Sequence, residues 1–145
     1  MAQTTTPGAD TLAAELLPQL SALTRSLARG ASNLSRTQIS VLRTLRDDGP
    51  TRISDLAAGE RVAQPSMTTL VNRLERQGLV ARTADPADLR AVLVAITGDG
   101  RKALAAAVSE IEARLAAQLG QLSGDDREAL AAVLPVLTRL NTQTQ

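Results

Sequence analysis

Between residues 63 and 78 the chain reads "AQPSMTTLVNRLERQG", in which Gln64, Ser66, Thr68, Thr69, Asn72, Arg73 and Arg76 can all donate hydrogen bonds. They interleave with Met67, Leu70, Val71 and Leu74 at i, i+3, i+4 and i+7, the period of an amphipathic helix. At about 100° per residue the apolar four share one face, while Pro65, Thr69, Asn72 and Arg76 fall opposite, flanked by Ser66, Thr68 and Arg73. No acid lies on that outer face. Hydroxyl, amide and guanidinium groups so placed suit phosphates and base edges in a major groove, which is wide enough to admit a helix. An ordinary solvated helix face carries the same residue types, so this pattern alone does not separate the two readings. A second group follows in "DPADLRAVLVAIT", residues 85–97, where a polar turn passes into an alternating strand. Asp88 and Arg90 stand two apart and so share a face of an extended segment. The carboxylate can brace the guanidinium, and a cation at a hairpin tip can reach a narrow minor groove. The plain alternative is a chance pair on a solvated turn, worth little.

Absences exclude other chemistry. Among 145 residues there is no Cys, no His and no aromatic residue. Disulfides and thiol redox sensing are therefore excluded, together with histidine-based metal sites and proton transfer and the stacking of bases on rings. Asp47-Asp48 and Asp125-Asp126 fall at expected helix boundaries, where acids cap. "TGDG" at 97–100 lacks the Lys-Ser/Thr of a phosphate loop and reads as a helix N-cap. Lys102, the only lysine, is expected in solvent. No acid, base and nucleophile converge, so neither an enzyme nor a cofactor or metal is expected.

The elements that must position these side chains are mostly helices. Residues 10–29 carry Leu12, Leu16, Leu20, Leu23 and Leu27 at helical steps, with a kink or break expected near Pro18. A second helix spans 35–47, with Ile39, Leu42 and Leu45, and Val41 beside them, facing inward, and "DDGP" stops it. A short third helix is expected from an N-cap at Thr51, with Gly59 allowing its exit. Pro65 then opens the polar-faced helix and Gly78 closes it in a left-handed conformation, which makes a helix-turn-helix. "LVART" and "RAVLVAI" are the only stretches that read as strands, joined by the longer tip "ADPADL". A long helix over 97–122 and a last one over 123–141, capped by Ser123 or Asp125 and bent at Pro135, complete the chain. The leucine stripes of the first and the last two helices exceed what so small a core can cover, which points to dimerisation through both termini. No apolar run approaches a membrane span and no signal peptide is visible, so a cytoplasmic location is expected.

A helix-turn-helix followed at once by a charged hairpin is a winged helix, and here the chain resembles the MarR family of bacterial transcription regulators. The likeness is carried by "LSRTQISVLRTL", "ISDLAAGERVAQPSMTTLVNRLERQGLVART" and "DPADLRAVLVAITGDGRKAL". It implies a mainly α fold with a β-hairpin wing in a single domain, residues 1–145. Within it, 35–96 would form the DNA-binding lobe, 97–122 a connecting helix, and 9–30 and 123–141 the dimerisation helices. It further implies a homodimer on a pseudo-palindromic operator, usually as a repressor. The helix containing Gln64, Pro65, Ser66, Thr68, Thr69, Asn72, Arg73 and Arg76 would enter the major groove. Arg90, supported by Asp88, would enter the minor groove. Family members commonly answer to a small aromatic or phenolic ligand, or to oxidation of cysteine; the second route is closed to a chain without Cys. The alternative reading is a winged helix module that binds protein without specific DNA binding, supported by the net charge of only +1 and the uncharged Leu89 beside Arg90.

Overall fold

The computed structural model describes residues 6–28 and 33–142. Residues 1–5, 29–32 and 143–145, which include part of the polar ends 1–8 and 141–145 expected to fray and of the break in helical period expected at 29–35, lie outside the described residues. Contacts divide the chain at Ile111/Glu112 into two compact units.

In the first unit the order is α1 (Ala9–Ala28), α2 (Arg36–Asp47), β1 (Thr51–Arg52), α3 (Ile53–Gly59), α4 (Gln64–Arg76), β2 (Val80–Asp85), β3 (Asp88–Ile96) and the start of α5 (Gly98–Leu119). The core is built without rings: Val41, Leu42 and Leu45 of α2, Leu56 and Ala57 of α3, Met67, Val71 and Leu74 of α4, Val80, Val94 and Leu104 pack in one buried cluster. These are the inward positions of the periodic pattern, so hydrophobic spacing located the core well. Helix α2 begins in a capping box, in which Ser35 Oγ accepts the Gln38 N–H at 3.2 Å and Gln38 Oε1 accepts the Ser35 N–H at 2.8 Å.

Three expectations need correction. Thr51 does not cap α3. It lies in β1, a two-residue strand pairing Thr51 with Val94 and Arg52 with Leu93, so the wing is a three-stranded antiparallel sheet in the order β1-β3-β2. Two residues are too few to show any alternation, so no periodic signal exists for such a strand. The exit from α3 does not use Gly59 either. Arg61 takes the left-handed conformation at φ 55°, and the N–H groups of Arg61 and Val62 donate to Ala58 O and Ala57 O at 3.1 and 3.0 Å. Gly78, at φ 75°, repeats that closure after α4 as expected, with the N–H groups of Gly78 and Leu79 donating to Glu75 O and Leu74 O. Lastly, of the kink or break expected near Pro18 the break does not occur, and α1 is one helix from Ala9 to Ala28; a proline removes one donor, and the remaining turns hold the helix.

The far end of the hairpin is locked to the start of α5. Thr97 Oγ1 donates to Gly78 O at 2.6 Å and accepts the Gly100 N–H at 3.0 Å. "TGDG" is thus a helix cap. Gly100 is required by close approach, since a Cβ there would stand 2.0 Å from Leu79 O.

In the second unit, the remainder of α5 is followed by α6 (Gly124–Thr142). Ser123 Oγ accepts the Asp126 N–H at 3.1 Å and caps α6, which continues through Pro135 with none of its residues buried.

Candidate nucleic-acid interface

Helix α4 turns Met67, Val71 and Leu74 into the core. That leaves Gln64, Pro65, Ser66, Thr69, Asn72, Arg73 and Arg76 exposed and Thr68 half-buried beside them. The eight residues expected on the reading face are therefore brought together. Their hydrogen bonds restrict what each can offer. Thr68 Oγ1 donates to Gln64 O at 2.9 Å and Thr69 Oγ1 to Pro65 O at 3.0 Å. Both hydroxyl protons are thus spent within the helix, and the two threonines present lone pairs and methyl groups outward. Arg76 Nε donates to Asn72 O at 3.3 Å, which leaves its terminal amino groups for a phosphate. The single acid in α4, Glu75, is ion-paired with Arg82 of β2, so its charge is compensated on the protein.

The wing is tighter than the expected loop. Asp85 pairs with Asp88, so Pro86 and Ala87 alone make the turn, and Ala84 pairs with Val92. Residues 89–91 of β3 therefore oppose nothing in β2, a local bulge that takes Arg90 off the ladder. Arg90 is exposed and sits beyond the tip, two residues into β3. Asp88 does not brace its guanidinium: Asp88 Oδ1 accepts the Arg90 backbone N–H at 3.1 Å, and Asp88 Oδ2 faces Arg52 Nη2 at 3.9 Å. Among the described residues, Arg90 forms no ion pair. The carboxylate anchored in the wing is that of Asp85, which is buried. It receives Arg52 Nη2 at 2.7 Å and Nε at 3.3 Å, and its Oδ1 accepts the Ala87 N–H at 2.9 Å. The hydrogen bond from the Arg52 guanidinium, followed by that from the Ala87 amide, holds the Asp85 carboxyl below its ordinary pKa, and the same contact raises that of Arg52.

Sequence reasoning missed Arg52, Arg61 and Arg82. Arg52 ties β1 to the hairpin turn. Arg82 forks from β2 onto Asn72 Oδ1, at 2.6 Å, and Glu75 Oε2. Exposed Arg61 stands in the turn immediately before α4. No spacing rule links partners 33 or 10 residues apart, so their only signal was basic charge.

A cavity of about 360 Å³ opens in the first unit between α1, α2 and Ile111. Its walls combine Leu27, Leu34 and Ile39 with Ser40, Arg36 and Arg43. Among the described residues, no helix is long and apolar enough to cross a membrane.

Residues 34–92 match the model of the MarR family. An HTH-type transcriptional regulator of Mycobacterium bovis is 36% identical over 110 residues, 74% of this chain and 77% of the relative. A crystallised Pseudomonas aeruginosa protein described as a transcriptional regulator superposes with a TM-score of 0.77 at 33% identity, covering 94% of this chain and 99% of the other. The fold is shared as well with a MepR variant of S. aureus bound to an oligodeoxyribonucleotide, at a TM-score of 0.63 and 23% identity over 91% of this chain and 97% of that one. The polar outer face of α4 and the wing as far as Val92 lie inside the matched segment, and the chain belongs to the MarR family of DNA-binding winged helix transcription regulators.

Proposed function

We propose that the protein is a homodimeric repressor that binds a pseudo-palindromic operator and is released by a small ligand. The observation that carries this reading is the outer face of α4, where Thr69, Asn72, Arg73 and Arg76 stand exposed and the one acid of the helix is neutralised by Arg82. In the bound state α4 lies in the major groove, the arginines engage phosphates, and Arg90 of the wing enters the minor groove without an internal carboxylate competing for it.

Dimerisation is supported by the apolar surface of the terminal helices: Leu12, Leu17, Leu20, Leu130, Leu134 and Leu140 are all exposed in the single chain. Two α4 helices in successive major grooves would space half-sites by roughly one turn, about 10 bp. Release is supported by the cavity lined by Leu27, Ile39, Ser40, Arg36 and Arg43, whose apolar walls and guanidinium groups suit a small aromatic or phenolic compound. Such a ligand acts by binding one dimer geometry better than the one that fits the operator.

Selection of bound sites from random duplexes tests the function and gives the half-site spacing together. A palindromic site bound in a salt-sensitive manner is expected; failure to discriminate any site from random duplex overturns the reading in favour of a protein-binding module. On the selected site, Arg90→Ala is expected to weaken binding by about 1–3 kcal/mol while leaving thermal unfolding unchanged. Equal affinity of the two proteins would remove the wing from the interface.

A further inference from the structure

The side-chain amide of Asn72 is held by an arginine outside α4. Arg82, in β2, places Nη2 2.6 Å from Asn72 Oδ1 and Nη1 on Glu75 Oε2. A guanidinium carries donors and no acceptor, so only one orientation of the Asn72 amide makes this contact: oxygen toward Arg82, –NH₂ away from it. Asn72 is exposed on the row formed by Pro65, Thr69 and Arg76, and so presents two N–H donors outward. An unrestrained asparagine reads adenine with both halves of its amide, accepting from N6 and donating to N7. Arg82 takes one of the two lone pairs of that oxygen and holds it toward β2, so the –NH₂, and not the accept-and-donate pair, is what Asn72 turns to a base. What remains is complementary to edges that carry acceptors alone, guanine with N7 and O6 or thymine with O4.

We infer that Arg82 is a positioning residue for sequence readout, which through Asn72 selects an acceptor-only base, guanine or thymine, against adenine at one position of each half-site. The inference rests on the DNA-binding reading above. The guanidinium that orients Asn72 also neutralises Glu75 with its other nitrogen.

The experiment is site selection with the full chain, the Asn72→Ala variant and the Arg82→Met variant, which keeps the length and apolar stem and removes every donor. Asn72→Ala identifies the base position it reads, as the one whose preference flattens. That position is expected to be guanine or thymine for the unmodified protein, and to move toward adenine by about tenfold in Arg82→Met, the scale of one good bidentate contact. A uniform loss of affinity with unchanged base preference would show that Arg82 only fastens the wing, and would overturn the inference. Adenine at that position in the unmodified protein would overturn it too. Asn72→Asp gives a second test should Arg82→Met fail to fold. It keeps the acceptor for Arg82 and removes the outward donors, so the guanine or thymine preference must disappear; its persistence would refute the assignment. If the unmodified protein selects no site, the DNA-binding reading itself fails, an outcome distinct from the wrong base at one position.

Discussion

Leu42 in α2 and Leu134 in α6 are both leucines on amphipathic helices, yet the first is 0% exposed and the second 62%. The same contrast holds for whole elements. Every apolar position that the period assigns to the inner face of α4 is buried or half-buried, whereas Leu12, Leu17, Leu20, Leu130, Val133 and Leu140 of α1 and α6 remain open. A helical stripe states that a face needs cover; it does not state which surface supplies it. In the winged helix lobe the cover comes from the chain itself, because α2, α3, α4, the start of α5 and the sheet close round one cluster. On the terminal helices these leucines are exposed, and a second copy is the cover proposed above.

This contrast can be tested by removing leucines on each side of it. Leu42→Ala is expected to destabilise the lobe by about 2–5 kcal/mol, since it leaves a cavity in a fully packed core, and denaturant unfolding measures this directly. A near-zero change would mean that the lobe is not closed as described. Replacing Leu17 and Leu134 by Ser should instead act on association: burying a leucine contributes about 1.5–3 kcal/mol, so sedimentation should show a dimer weakened by more than tenfold with the lobe still folded. An unchanged dimer would place the interface elsewhere. Gly100→Ala probes how tightly α5 is seated on the hairpin, because its methyl would enter the space of Leu79 O at 2.0 Å. Overpacking of this kind costs about 1–3 kcal/mol, and an unaltered melting temperature would contradict the close approach. The smallest effect is expected at the wing. Asp85 titrates below its ordinary value because Arg52 stabilises the carboxylate. Its contribution is therefore complete above the unfolded carboxylate pKa of about 4 and lost as the pH falls through the lower folded value. Hydrogen exchange at the Ala87 amide, which Asp85 accepts, should accelerate across that acid range relative to amides of α2, and Asp85→Asn should abolish the difference. Parallel pH profiles for the wild type and Asp85→Asn would dismiss the pair.

Much of the fold was legible in the residues because it depends on local rules. "DDGP" stops α2, Pro65 and Gly78 bracket α4, and Met67, Val71 and Leu74 mark its buried side. The polar outer face of α4 was legible for the same reason, as the complement of that buried stripe. The details of the wing were not. Strand β1 is too short to have a period, the bulge at 89–91 depends on the register between β2 and β3, and Asp88 is drawn to the backbone of Arg90 and toward Arg52 instead of to the Arg90 side chain.

By itself, then, the order of residues determined which helices form, which of their faces are apolar, and that a polar, acid-free helix face precedes a charged hairpin. Each depends on neighbours within a few turns, where backbone geometry fixes which side chains meet. Only the tertiary structure decided which partners the arginines take: Arg52 clamps Asp85, Arg82 holds the Asn72 amide and neutralises Glu75, and Arg90 is left exposed. An arginine has reach and five donors, but its partner is chosen by which carboxylate or amide the folded chain brings within 3 Å or so, and that proximity exists only once the sheet has closed against α4.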